Sequence, residues 1–401
     1  MFLADALASL LELSEDEKES LGAVYTPWEI AHQVDLWDDT CRRVEERGTE
    51  FTLLPSSLRV ILTGAGSSDF VGKSLEMLWR DRLGLDVQAC ATTDILTHPR
   101  DFFRGDVPYL IVSFARSGNS PESVGVFDLA HQLSQDVRQI VVTCNGEGSL
   151  ARRAMGAEQR ALVIILDEAT NDRGLAMTSS FTNMVVAGQS IAFLDKPSLY
   201  RNQLAEMNLC GRNLLENYPD IVKEIAERDF DRAIFLGGGA LRAAAHESAL
   251  KLLELTDGTI MTRYDSFLGV RHGPASAING RTLVVYLVSS DPYVRQYELD
   301  LMREIKERKA AALTVALCHT RTCDIEGLCD ILIDLHPSHP SPQQGTSPSP
   351  MPDALRPPID VIFGQLLGLF KSLSLGYKPD VPSARGIINR VVQGVRVYPF
   401  A

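Results

Sequence analysis

A chain of 401 residues is long enough for two domains, each with its own core, and its hydrophobic share of 45% and charged share of 23% are ordinary for a soluble globular protein. A formal net charge of -13 argues against a nucleic-acid backbone as the main partner. No apolar run approaches a membrane span, the amino terminus lacks a basic start, and seven scattered cysteines make no disulfide framework, so the expected compartment is the cytoplasm.

Ser14 before Glu15-Asp16-Glu17 predicts a helix start, and Leu21-Gly22 predicts its end. Thr26-Pro27-Trp28-Glu29 repeats the capping logic, with threonine ahead of a proline at the first helical position. Residues 1–54 therefore read as a helical segment, either an appendage to the core or part of a subunit contact.

A first domain follows over residues 55–215. Val60-Ile61-Leu62 reads as a strand, Gly64-Ala65-Gly66-Ser67-Ser68 as a tight loop and residues 70–80 as a helix. Further strands are expected at 85–89, 109–114, 139–143 and 161–166. A long helical stretch from 178 runs towards 228, with a break at Pro197. Alternating strands and helices imply an α/β fold with a parallel sheet covered on both faces.

The pattern restarts in a second domain, residues 216–401. A strand at 233–236, the loop Gly237-Gly238-Gly239 and a helix at 241–255 precede strands at 282–288, 311–317 and 330–335. Gly64 and Gly237 open corresponding loops 237 - 64 = 173 residues apart, which reads as an internal duplication. Residues 336–358 hold eight of the 20 prolines and read as a surface insertion ahead of a helix at 359–375, while the tail from 384 mixes apolar and basic residues and should be anchored on the body.

The apolar run Leu110-Ile111-Val112 leads into Ala115-Arg116-Ser117-Gly118-Asn119-Ser120-Pro121-Glu122, a strand-to-helix turn whose helix dipole and hydroxyls suit a phosphate. In a doubly wound sheet, loops at the carboxyl ends of neighbouring strands converge, so Gly66, Ser67 and Ser68 can join Ser117 and Ser120 around one anion. The plainer reading is that these serines only cap helices. A dinucleotide fingerprint fails, since its third glycine falls at Asp69 in one half and Arg242 in the other. Cys318, His319, Cys323 and Cys329 cluster without the spacing of a zinc site, and no metal or other cofactor is expected.

The run 113–123 resembles the phosphate loop of SIS (sugar isomerase) domains, and Gly64-Ala65-Gly66-Ser67-Ser68 resembles their first glycine loop. Glu247-Ser248-Ala249-Leu250-Lys251-Leu252-Leu253-Glu254 and Arg271-His272-Gly273-Pro274 are similar to the isomerase half of glucosamine-6-phosphate synthase. The stretches 21–30 and 389–395 resemble the tagatose-6-phosphate ketose/aldose isomerase group, also described as galactosamine-6-phosphate deaminases.

The resemblance implies two flavodoxin-like three-layer domains, a homodimer or larger oligomer, and a phosphorylated hexose or hexosamine as partner. It implies Ser68, Ser117 and Ser120 as phosphate ligands, Glu254 as the base between C1 and C2, and His272 as an aid to ring opening, with Lys251 and Glu247 shaping the site. Two positions depart from the synthase, which has glutamine at Arg116 and a carboxyl-terminal lysine aligned with Asn389.

Each catalytic residue also has a plain reading, Glu254 as a helix glutamate paired with Lys251 and His272 as a turn histidine, and Arg116 either adds charge to the phosphate or faces solvent. His246 is expected to be structural. The expected chemistry is deamination of galactosamine 6-phosphate; plain aldose-ketose isomerisation and a sugar-phosphate sensor without turnover are the alternatives. The end of the sugar remote from the phosphate should meet Glu254 and His272 from the second half or from a neighbouring subunit.

Overall fold

Each apolar run becomes a parallel strand in the computed structural model, which describes residues 5–48, 58–157, 160–322, 324–337, 350–392 and 394–400. Strands β1 (Arg59–Gly64), β2 (Asp86–Ala91), β3 (Tyr109–Ala115), β4 (Val137–Thr143) and β5 (Ala161–Ile165) form a sheet of order β2-β1-β3-β4-β5. Strands β6 (Arg232–Gly237), β7 (Met261–Asp265), β8 (Thr282–Leu287), β9 (Leu313–Cys318) and β10 (Ile331–Asp334) form a second, of order β10-β9-β8-β6-β7. Numbered within its own half, each sheet reads 2-1-3-4-5, the flavodoxin-like order that the resemblance implied. The middle strands are buried on both faces, β3 and β8 along their whole length, as helix-covered parallel sheets require.

Strand β7 was not among the expected strands. It is an edge strand whose residues Met261, Thr262 and Arg263 are only partly covered, so it lacks the apolar run that marks the others.

The chain divides into two compact units that are discontinuous in sequence. One comprises Met1–Val34 and Ala205–Arg385 and holds β6–β10; the other comprises Asp35–Leu204 and Gly386–Ala401 and holds β1–β5. The helices of residues 1–54 are thus shared out. Glu15–Leu21 belongs to the β6–β10 unit, where Ser14 and Glu17 form the capping box and Gly22 ends the helix at a φ of 60°. Trp37–Arg47 belongs to the β1–β5 unit, its Thr40 hydroxyl donating to Asn183 at 2.7 Å.

The helix Thr26–His32 corrects the expected cap. Thr26 lies inside the helix, and the Asp380 carboxylate accepts from the amides of Val24 and Thr26, at 2.7 and 2.8 Å, and from the Thr26 hydroxyl at 2.7 Å. A charge from far along the chain does what a local hydroxyl was expected to do.

The long helical stretch resolves into Ser179–Ala192, Pro197–Asn217 and Pro219–Glu227, each break set by a proline. Within the proline-rich insertion, residues 338–349 lie outside the described residues. The helix after it starts at Pro357 and runs to Ser374, because prolines suit the first turn. The tail is anchored as expected, with the Gln132 side chain donating to the Phe400 carbonyl at 3.1 Å and Arg100 lying over the Phe400 ring. No helix among the described residues is long and apolar enough to cross a membrane.

Candidate active site

In the β1–β5 unit, β1 and β3 are hydrogen-bonded neighbours, with Thr63 beside Ser113. The chain leaves β1 towards β2 on one side and enters β3 on the other. This is the switch point where ligands of open α/β sheets bind, outside the carboxyl ends of the strands. Both predicted loops emerge there.

The first loop turns at Gly66, whose φ of 59° and ψ of -129° demand glycine, and the helix Ser67–Leu83 begins at the next residue. Ser67 and Ser68 are each 5% exposed, and among the described residues the Ser68 hydroxyl meets only the sulfur of Met177, at 3.9 Å. A sulfur acceptor holds a hydroxyl weakly, which leaves Ser68 able to turn to an anion.

The second loop joins β3 to the helix Pro121–Leu133. Ser120 takes the N-cap position, yet its hydroxyl donates to the Glu122 carboxylate at 2.6 Å instead of accepting from the helix. The Ser117 hydroxyl accepts from the Asn119 amide at 3.3 Å. Asn145 holds the Ser117 carbonyl at 2.9 Å, and the Asn119 side chain accepts from the Ser149 amide at 3.0 Å, so the loop is braced by its neighbour. The sequence reading missed both asparagines as positioning residues; Asn145-Gly146 is the turn signal that marks one of them.

Arg116 neither faces solvent nor stands idle. It is 7% exposed, and its guanidinium donates to the carbonyls of Gly174, Leu175 and Arg390, at 3.3, 3.0 and 2.6 Å. It ties the tail to the loop region. Arg390 in turn donates to the Asp172 carbonyl at 2.7 Å, and the buried Asp172 carboxylate accepts from the amides of Thr178, Ser179 and Ser180 at the start of the next helix. Asn389 is exposed and reaches only the Gly386 carbonyl, at 3.4 Å.

In the β6–β10 unit, the helix Ala240–Leu255 follows β6 and packs on Pro357–Ser374. A Cβ on Gly364 would meet Ser248 at 2.4 Å, and one on Gly368 would meet the Lys251 carbonyl at 3.1 Å. Two glycines one turn apart therefore let the helices touch backbone to backbone and seal Lys251 inside.

Its ammonium lies 3.2 Å from Glu247 Oε1 and 2.7 Å from Glu254 Oε2. Burial alone would lower the Lys251 pKa, but the two carboxylates outweigh it and hold it above its ordinary value. Glu254 is half-buried while Glu247 is fully buried, so Glu254 is the member of the set that a substrate can reach. The expected Glu254–Lys251 pair is present, but it is not an exposed surface pair, since Lys251 is interior.

His272 lies in the connection from β7 to β8, exposed, ahead of Gly273 at a φ of 118°. The connections β6 to β7 and β7 to β8 step in opposite directions across the sheet, and right-handed crossovers then fall on opposite faces. The packing agrees: Phe267 and Val270 join the core with Leu299, Met302 and Ile305, away from the Ala240–Leu255 helix. Within this unit Glu254 and His272 are not brought together. A cleft of about 350 Å³ borders the same helix, lined by Arg242, Leu253 and His246, with His246 stacked on Tyr264 at 3.6 Å between centroids; neither Glu254 nor His272 lines it.

No protein-family model matches the chain. It is 37% identical to the D-galactosamine-6-phosphate deaminase AgaS of Shewanella sp. (strain ANA-3), over 98% of this chain and 96% of that protein. It is 36% identical to the D-galactosamine-6-phosphate deaminase AgaS of Escherichia coli, over 94% and 96%. Among solved structures it resembles the tagatose-6-phosphate ketose/aldose isomerase from Escherichia coli, with a TM-score of 0.81 and 32% identity, covering 95% of this chain and 98% of that one.

Proposed function

Because the chain belongs to the family of SIS-fold D-galactosamine-6-phosphate deaminases and tagatose-6-phosphate ketose/aldose isomerases, we propose that it converts galactosamine 6-phosphate and water to tagatose 6-phosphate and ammonia. The observation that carries the chemistry is Glu254, half-buried and held by an interior lysine.

Ser68, Ser117 and Ser120 hold the 6-phosphate. Once the ring is open, the Glu254 carboxylate takes the C2 proton while the C1 carbonyl oxygen takes a proton from solvent, giving an enolamine. Return of the Glu254 proton to C1, with loss of one amine proton to solvent, leaves an imine at C2. Water adds there and ammonia leaves, so the C2 carbonyl of the ketose phosphate forms. Lys251 fixes the Glu254 carboxylate in place through the 2.7 Å contact to Oε2.

The test is ammonia release from galactosamine 6-phosphate and glucosamine 6-phosphate, with tagatose 6-phosphate as the control for plain isomerisation. Ammonia from the galacto compound is expected. Glu254→Gln should lower kcat by about 10²–10⁴ and leave KM little changed, the range for loss of a general base. A variant releasing ammonia at the parent rate would sink the assignment. Conversion of tagatose 6-phosphate without any ammonia would favour the isomerase reading, which the solved relative's description supports.

We further assign His272 to ring opening at the site of a neighbouring copy, in a homodimer or larger oligomer. What supports this is that Glu254 and His272 of one copy sit on opposite faces of one sheet. Glu254→Gln and His272→Asn proteins, each inactive alone, should regain activity when unfolded and refolded together. No recovery, with mixed oligomers present, would place both residues in one copy.

A further inference from the structure

We infer that the β6–β10 unit contains a structural transition-metal site, zinc by its donors, built from Glu206, Cys210 and His319, with His336 beside it. Glu206 and Cys210 stand one turn apart on the helix Pro197–Asn217, and Asn213, on the same face, donates to the carbonyls of Asp334 and Leu335, at 2.9 Å each. The helix is thereby fixed against the end of β10. His319 follows β9 and His336 follows β10, and the His336 amide donates to the His319 carbonyl at 2.9 Å.

Donor atoms of Glu206, Cys210 and His319 all lie within 4.8 Å of one another. Nε2 of His319 and Nε2 of His336 each lie 3.4 Å from Glu206 Oε1. That spacing is long for a hydrogen bond, and it matches the edge of about 3.3 Å that a tetrahedron of N and O ligands at about 2.0–2.1 Å would have.

Two further observations point to an occupant. His319 is 2% exposed, and among the described residues neither its Nε2 nor Glu206 Oε1 has a hydrogen-bond partner. An imidazole nitrogen buried without a partner costs stability unless something binds it. The other ring nitrogen, Nδ1, lies 3.0 Å from the Thr320 hydroxyl and 3.4 Å from the Met351 amide. The Met351 amide donates to Nδ1, so ligation at Nε2 calls for the other tautomer, in which Nδ1–H donates to the Thr320 hydroxyl as the outer bond that orients a ligating histidine.

The Cys210 thiol gives its proton to solvent when the metal binds. Glu206, 36% exposed, provides the entry path. Glutamate, thiolate and imidazole are the mixed O, S and N donors that suit zinc. Of the cysteine–histidine cluster visible in the sequence, His319 alone takes part, because the partners come from a helix more than a hundred residues earlier.

The experiment is zinc content after dialysis of the full chain against zinc and then buffer, with cobalt(II) as the spectroscopic probe. One zinc per chain is expected, with a lowered Tm after chelation and a thiolate-to-cobalt charge-transfer band that Cys210→Ser abolishes. Thr320→Val should weaken zinc binding about tenfold or more through the lost outer hydrogen bond. Glu206→Gln keeps the packing and provides a second variant should Cys210→Ser fail to fold; it too should lose zinc. A folded protein that holds no zinc, or holds the same amount in Glu206→Gln and Cys210→Ser, would overturn the proposal. None of these readouts depends on the deaminase reading.

Discussion

The two sheets present one backbone device carrying two chemistries. Gly66 and Gly239 lie 239 - 66 = 173 residues apart and share a conformation, φ 59° with ψ -129° and φ 53° with ψ -126°. Each opens a helix at the switch point of a sheet with the same strand order. At the first, the buried hydroxyls of Ser67 and Ser68 and the half-buried hydroxyl of Ser117 stand beside a helix start.

At the second, the space is taken by carboxylates. Glu298 Oε1 comes within 3.5 Å of where a Gly238 Cβ would be, while its other oxygen accepts from the Ser289 amide at 2.8 Å; Asp353 accepts from the Ser289 hydroxyl and, at 2.8 Å, from the Ser290 amide. A phosphate would meet repulsion there.

The helices divide in the opposite sense. Counting back 173 residues, Glu247, Lys251 and Glu254 correspond to Ser74, Leu78 and Asp81. The first half keeps Ser74 and Leu78 where the second keeps its buried Glu247–Lys251 pair, while its own ion pair, Asp69–Lys73, lies at the start of the helix. Duplication preserved the backbone, and each copy placed its chemistry where the other has none.

Lys251→Leu, which installs the counterpart's residue, should have the largest effect. It removes the cation facing the buried Glu247 and should cost about 3–5 kcal/mol in urea unfolding, with activity lost alongside. A stability change under about 1 kcal/mol would mean that the two helices are interchangeable there.

Glu298→Gln probes the filled cradle. Burial pushes the Glu298 pKa up to about 7 from its ordinary 4.5. A raised acid pKa means that the folded state holds the proton longer than the unfolded one. The native protein should therefore lose stability as pH rises from about 4.5 to about 7, by up to about 3 kcal/mol. The variant should flatten that slope. An unchanged slope in urea midpoints across this window would show that the carboxylate is not buried as charge.

The smallest expected effect separates the cradles directly. Ser68→Ala and Ser117→Ala should each raise KM for the sugar phosphate about tenfold or somewhat more, as loss of a hydrogen bond to a charged group does. Ser289→Ala in the second cradle should leave KM unchanged. Equal effects from both cradles would end the distinction.

The local devices were legible in the sequence because their causes lie within a few residues. Ser14 and Glu17 cap a helix they adjoin, the prolines break helices where they stand, and the glycine loops follow apolar runs long enough to identify the strands around them. What failed was whatever required a partner from elsewhere. Thr26 looked like a cap until Asp380 took its amides, β7 carries too little apolar signal to be seen alone, and Arg116 offered no hint that three distant carbonyls would claim it.

The sequence by itself determined that this is a duplicated α/β protein with a hydroxyl-rich phosphate loop, since period, turn residues and motif order are short-range properties. Only the tertiary structure decided that the compact units are discontinuous, that Glu254 is held by a buried lysine, that His272 lies on the other face of its sheet, and that Glu206, Cys210 and His319 meet. These facts depend on the handedness of crossovers and on the packing of strands far apart in the chain, neither of which local composition records.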